Sequence, residues 1–237
     1  MKHGVYVREQ KTSVSTPVVA ESGVPFVVGT APVHSAESPA ALFTPVLCTD
    51  WEDAVKKLGY SDDWKTYTFC EVMYSHFKLF QRQPIIFCNV LDPSTNKEAV
   101  AGAEVTLSGK QAKLPFDAIL SSLVVKTASS SESPLVKDTD YAAYYSDGNL
   151  IVETIEDGAA KAATKLYISY DKIKTADIDD DDIVKGIEAI DLCMATVSTT
   201  PDLIIAPGWS HTSTVQAVMA AKAEVINGIL GAKSICD

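Results

Sequence analysis

The chain has 237 residues, 46% of them hydrophobic and 22% charged, with a net charge of −11. That length supports one large domain or two smaller ones, and the composition is that of a globular protein. An acidic surface repels phosphate, which argues against nucleic acid and anionic membrane as partners. No apolar stretch approaches the ~20 residues needed to span a bilayer. The N-terminus opens on a strand pattern instead of an apolar signal core, so the chain reads as one made in the cytoplasm.

Residues 1–20 read as an extended arm. Val5 and Val7 alternate with Tyr6 and Arg8, which is the period of a strand, and a polar spacer over 11–16 and Pro17 separate this segment from the next one. A segment built to pair but held apart from the nearest core strand points to pairing elsewhere, with Gly4, Val5, Tyr6, Val7 and Arg8 as the pairing residues.

Residues 21–92 together with 177–237 read as an α/β core. Val24-Pro-Phe-Val-Val28 is a near-continuous apolar run, expected of a strand covered on both faces. A loop is expected over 39–45. Thr49 and Glu52 have capping-box spacing ahead of a short helix carrying Trp51, Val55 and Leu58, with Gly59 suited to its end. A longer helix is expected over 66–80, with apolar residues on two stripes. Pro84-Ile-Ile-Phe-Cys-Asn-Val-Leu91 is a second buried strand. After residue 177, Ile183, Ile187, Ile190, Met194 and Val197 form one helical stripe. Leu203-Ile-Ile-Ala206 is a third buried strand. Ser213 and Gln216 then open a helix expected to run to Leu230, and Lys233-Ser-Ile-Cys reads as the start of another strand.

Residues 93–176 differ in texture. Helical periodicity vanishes, and short strand-like runs appear over 123–126, 141–145, 149–153 and 165–170. Asp147-Gly148 between two of them is a strong hairpin signal. This region reads as an all-β sandwich domain inserted into the core at polar boundaries.

The chemistry-bearing residues give little support to catalysis. Pro207-Gly-Trp-Ser210-His211 follows a strand and precedes a helix, the topology of a nucleophile elbow, but Thr212 stands where the second glycine of G-x-S-x-G belongs. His211 adjoins Ser210 in sequence, a poor placement for its general base, and helix capping is the ordinary role for such a serine. Asp177-Ile-Asp-Asp-Asp-Asp182 lacks the glycine and terminal glutamate of an EF-hand loop, so these acids read as a helix start. The five cysteines, Cys48, Cys70, Cys88, Cys193 and Cys236, include no C-x-x-C and are not clustered as zinc ligands. They read as small buried hydrophobes in a reducing compartment. No glycine pattern suits a nucleotide. The sequence therefore names no catalytic, cofactor-binding or metal-binding residue.

The opening segment, the run Asp202-Leu-Ile-Ile-Ala-Pro-Gly-Trp-Ser210, and the pair Asp138-Thr-Asp-Tyr141 and Asn149-Leu-Ile-Val152 occur in an order that resembles the contractile tail sheath proteins of phages and phage-tail-like bacteriocins. The resemblance implies a subtilisin-like core fold without catalysis and no cofactor. It implies six-membered rings of this protein stacked helically around a tail tube protein, bounded by baseplate and tail terminator proteins. N-terminal and C-terminal arms would link neighbouring subunits. The sheath would assemble in the host cytoplasm, become part of the virion or particle, and contract to drive the tube through a target envelope. Sheath proteins normally continue beyond the equivalent of Asp237, so the chain is expected to lack the C-terminal arm. Two other readings remain open from the sequence: a serine hydrolase of α/β type using Ser210, and a surface-exposed β-sandwich binding module.

Overall fold

A computed structural model describes residues 23–130 and 133–236. Its centre is strand β1, Pro25–Gly29, in which every residue is buried. The apolar run splits by alternation. Phe26 and Val28 enter one apolar cluster and Val27 enters another on the opposite face. A side chain every second residue on each face is the geometry of a strand, and the unbroken run is legible because both faces are covered.

β1 lies in the middle of a five-stranded sheet. Strand β2 is Pro45–Cys48 and β3 is Ile85–Asn89. Strand β10 is Leu203–Ile205 and β11 is Lys233–Ile235. The order across the sheet is β11-β10-β1-β3-β2. β1 pairs in parallel with both β10 and β3, β11 continues the parallel set beside β10, and β2 is antiparallel to β3. One face is covered by α1, Trp51–Leu58, and by α2, Phe69–Met73, which runs on as a π-helical stretch over Tyr74–Phe80. The other face is covered by α3, Asp180–Glu188, and α5, Ser213–Glu224, with α4, Cys193–Val197, between them in sequence. Each fully buried Leu, Ile, Phe or Met contributes about 1.5–3 kcal/mol.

Between β3 and α3 the chain builds six more strands in two three-stranded antiparallel sheets. β4 (Lys97–Thr106), β9 (Lys165–Ile173) and β6 (Val124–Lys126) form one, in the order β4-β9-β6. β5 (Gln111–Pro115), β8 (Asn149–Thr154) and β7 (Tyr141–Ser146) form the other, in the order β5-β8-β7. Ala112, Leu114, Leu150 and Val152 from the second sheet share one cluster with Val125, Leu166 and Ile168 from the first. The chain enters and leaves this β unit side by side: Lys174 N–H donates to Asn96 O at 2.9 Å, and Lys97 sits opposite Ile173. β7 and β8 form a hairpin in which Ser146 faces Asn149. Asp147 and Gly148 both have positive φ there, 50° and 67°, as a two-residue type I′ turn requires.

Several local expectations shift. α1 is capped one residue later than the pattern suggested: Asp50 accepts from Asp53 N–H at 2.8 Å, a start that buries Ala54 and Leu58. The long helix begins at Phe69, and its wider π winding carries Leu79 and Phe80 off the core face into solvent. The stripe after α3 is broken by a 3-10 turn, Ala189–Leu192, which turns Cys193 inward and Met194 outward. α5 ends at Glu224, so Val225, Ile229 and Leu230 are not helical core residues but exposed ones. Strands β4 and β5 occupy residues to which no element was assigned, and β2 starts where a loop was expected to end.

Gly186 lets α3 lie directly on the sheet. A Cβ there would stand 2.5 Å from Val28 Cγ1 and 2.8 Å from Val90 Cγ1. Both are stiff β-branched side chains in the core. Gly186→Ala is therefore expected to lower stability by about 1–3 kcal/mol in urea unfolding, as overpacking does, against a helix-propensity gain of about 1 kcal/mol. A rise in stability would show that α3 moves off the sheet at little cost.

Candidate functional site

In an open parallel sheet, ligands bind beyond the carboxyl ends of the strands, where neighbouring connections diverge to opposite sides. Here that point lies between β1, whose connection leads towards β2 and β3, and β10, which leads towards β11. A cleft of about 540 Å³ opens there, lined among others by Thr30, Trp64, Thr68, Pro207, Gly208 and Trp209. Its volume falls within the usual range for small-molecule sites, roughly 300–1,000 Å³.

The polar groups at the floor are bonded to one another. Thr30 hydroxyl donates to Thr66 O at 2.8 Å and accepts from Thr68 N–H at 3.1 Å. Thr68 hydroxyl accepts from Thr30 N–H at 3.2 Å, and Phe69 N–H donates to Thr30 O at 3.0 Å. On the next strand, Asn89 Oδ1 accepts from Ala31 N–H and Leu91 N–H, both at 3.2 Å, while its Nδ2 donates to Leu91 O at 2.7 Å. Asn89 is 1% exposed. These groups satisfy backbone atoms that leave the sheet ladder at its end, as buried polar backbone requires. The packing is close enough that Gly29 has no room for a Cβ, which would run into Thr68 Oγ1. At the rim, Trp64 Nε1 donates to Tyr60 hydroxyl at 3.2 Å, and its ring lies 5.5 Å from that of Tyr74.

Ser210 is 1% exposed and sits in a turn between β10 and α5, where its N–H donates to Ala206 O at 3.0 Å. Its neighbours Pro207, Gly208 and Trp209 face the cleft. Ser210 is not the helix cap: that position belongs to Thr212, because a further turn closed by Thr212 N–H on Trp209 O separates Ser210 from the helix. His211 is exposed. The acidic run after Asp177 is a helix start: Asp179 accepts from Asp181 N–H at 3.0 Å and from Asp182 N–H at 3.2 Å in a capping box. Among the described residues no group of three or more His, Cys, Asp or Glu side chains comes together to hold a metal ion, and no helix is long and apolar enough to cross a membrane. Cys48, Cys70, Cys88 and Cys193 are buried, and burial pushes each thiol up to about 12, leaving these four unreactive at neutral pH. The pairing residues Gly4, Val5, Tyr6, Val7 and Arg8 lie outside the described residues.

The sequence reading did not single out Thr30, Thr68 or Asn89. Asn89 left one signal, a lone amide at the end of the apolar run Ile85-Ile-Phe-Cys. Asn89→Ala is expected to cost about 2–4 kcal/mol in chemical unfolding, because it removes a buried donor and an acceptor shared by two backbone amides. A variant as stable as the parent would show that these bonds contribute nothing net to the fold.

No protein-family model and no curated protein sequence matches this chain.

Proposed function

We propose that this protein is a structural subunit of a contractile tail sheath, polymerising around a tail tube and contracting to drive it through a target envelope. The reading rests first on the ordered resemblance of three segments described above. The observation that carries it further is a set of exposed apolar residues beside one sheet edge.

Strand β4 is an edge strand guarded against association. It carries Lys97, Glu98 and Glu104 and is interrupted by a bulge at Gly102, where φ is +57°. Charges and bulges are how proteins blunt an edge. Strand β11 closes the other sheet at one side and pairs only with β10 among the described residues. It is short and begins with exposed Lys233, and Ile235 on it is half exposed. The segment before it exposes Val225, Leu230 and, at 87%, Ile229. That segment is tied to the turn carrying exposed Leu192 through Asp191, which accepts from Asn227 N–H and pairs with Lys222. Exposed apolar residues gathered beside a strand edge make a surface for association.

In this proposal the segment Gly4, Val5, Tyr6, Val7 and Arg8 adds a strand to a neighbouring subunit, and the polar spacer over 11–16 lets subunits rotate while the arms stay paired. Strand addition satisfies backbone groups across a subunit boundary, at about 1 kcal/mol net per hydrogen bond. The metastable energy would then reside in core–core contacts that differ between the extended and contracted lattices. Partners under this reading are further copies of the chain, a tail tube protein, and baseplate and tail terminator proteins.

The test is size-exclusion chromatography with negative-stain microscopy on the complete translated protein, on a version lacking residues 2–16, and on Ile229→Asp. Rings or tubes are expected from the parent and monomers from both variants. A parent that stays monomeric at high concentration while a fluorophosphonate probe labels Ser210 would replace the sheath reading with the hydrolase one.

A further inference from the structure

We propose that His34 is a proton-operated latch between the α/β core and the β unit, closed when the ring is neutral and released when it is protonated. His34 lies in a 3-10 turn, Val33–Ser35, just beyond β1. Its ring stands between the two parts of the molecule. Tyr67 approaches from the α/β side, with ring centroids 6.0 Å apart. Phe116 and Tyr145 approach from the β unit at 5.4 and 5.7 Å, both edge-on. Phe116 also meets Tyr145 at 5.5 Å and Tyr67 at 6.2 Å, so four rings form one cluster across the junction.

The ring makes one polar contact across the junction. His34 Nε2 is 3.0 Å from Phe116 O. A carbonyl only accepts, so Nε2 carries the proton and Nδ1 of the neutral ring is a lone-pair acceptor. Nδ1 is buried with no partner among the described residues, and so is the hydroxyl of Tyr67. Tyr145 hydroxyl is already engaged: it donates to Ala118 O at 2.7 Å and accepts from Leu120 N–H at 3.2 Å. Protonation would therefore place a hydrogen and a charge at Nδ1, where no acceptor among the described residues lies within hydrogen-bond distance.

The charged groups around the ring do not neutralise it. Burial holds His34 below the ordinary histidine range, outweighing the Phe116 carbonyl and then Asp117 on the β unit, both of which attract a proton towards the ring. Asp92 borders the ring's crevice from the connection after β3, and no carboxylate forms an ion pair with His34 among the described residues. A released histidine takes up its proton near pH 6.5. The latch therefore contributes fully above that pH and loses its contribution as pH falls below it, towards the lower pKa of the closed state. A crevice of about 300 Å³, lined by His34, Leu91, Asp92, Ile119 and Ser121 among others, runs beside the ring and gives water a route to the junction once the ring moves.

The experiment is hydrogen exchange at pH 7.5 and 5.0, corrected for intrinsic rates, on the parent, His34→Gln and His34→Phe. Glutamine keeps a donor for Phe116 O and phenylalanine keeps the aromatic packing, and neither titrates. In the parent, protection of peptides spanning 30–36 and 114–121 is expected to fall at pH 5.0, by up to about thirtyfold, the limit set by a released ring that titrates about 1.5 units higher, while peptides from β3 and β8 hold. Both variants are expected to show the same junction protection at the two pH values. The proposal is overturned by unchanged parent protection, by an equal fall in the variants, by loss of β3 and β8 protection alongside the junction, or by a nuclear magnetic resonance titration placing His34 at or above 6.5.

Discussion

Strand β1 has no face to give to solvent, and the rest of the molecule is arranged around that constraint. Its alternating side chains feed two separate clusters, so helices are required on both sides of the sheet. α3 can lie close enough only because Gly186 carries no side chain. At the carboxyl end of β1 the ladder runs out, and the backbone groups of Thr30 and Ala31 must find partners. They find them in Thr68 and Asn89, from the segment ahead of α2 and from β3. The place where an open α/β sheet usually holds a ligand is here occupied at its floor by side chains that hold the sheet end together.

That arrangement bears on how the protein works. On the sheath proposal, a core with two buried faces and a pinned strand end would be the part that transmits force between neighbours. The surface divides accordingly. Charges and a bulge protect β4, whereas apolar residues ahead of β11 are exposed. The β unit is carried on two adjacent connections and on the ring cluster around His34. On the latch proposal, that junction is where the β unit would respond to pH.

Much of this was legible in the sequence, and the exceptions have physical causes. β1 and β3 announce themselves because strands buried on both faces are apolar almost throughout, and β10 does so through its unbroken apolar run. The hairpin at Asp147 and Gly148 is written in the two residues that tolerate positive φ. β4 is hidden because it is mostly exposed, only Val100, Val105 and Thr106 in it favour a strand, and a bulge shifts its alternation. The cap of α1 was misplaced by one residue because Thr49 and Asp50 offer overlapping patterns, and burial of Ala54 and Leu58 chose between them. Ser210 was read as a cap because helix starts can be placed from sequence only to within a turn. Neither the Thr30–Thr68–Asn89 network nor the cluster around His34 could be read from spacing, since each joins residues far apart in the chain.

The central claim is that neighbouring subunits are linked by exchanged arms. It is tested most directly by amine cross-linking and mass spectrometry on particles assembled from equal parts of isotopically light and heavy protein. Lys2 and Lys11 flank the pairing residues and supply the reactive amines. The account predicts that cross-links from Lys2 and Lys11 to the α/β core join light to heavy chains as often as they join like chains. Cross-links confined to light with light and heavy with heavy would show that the segment folds back on its own subunit, and the account would be wrong.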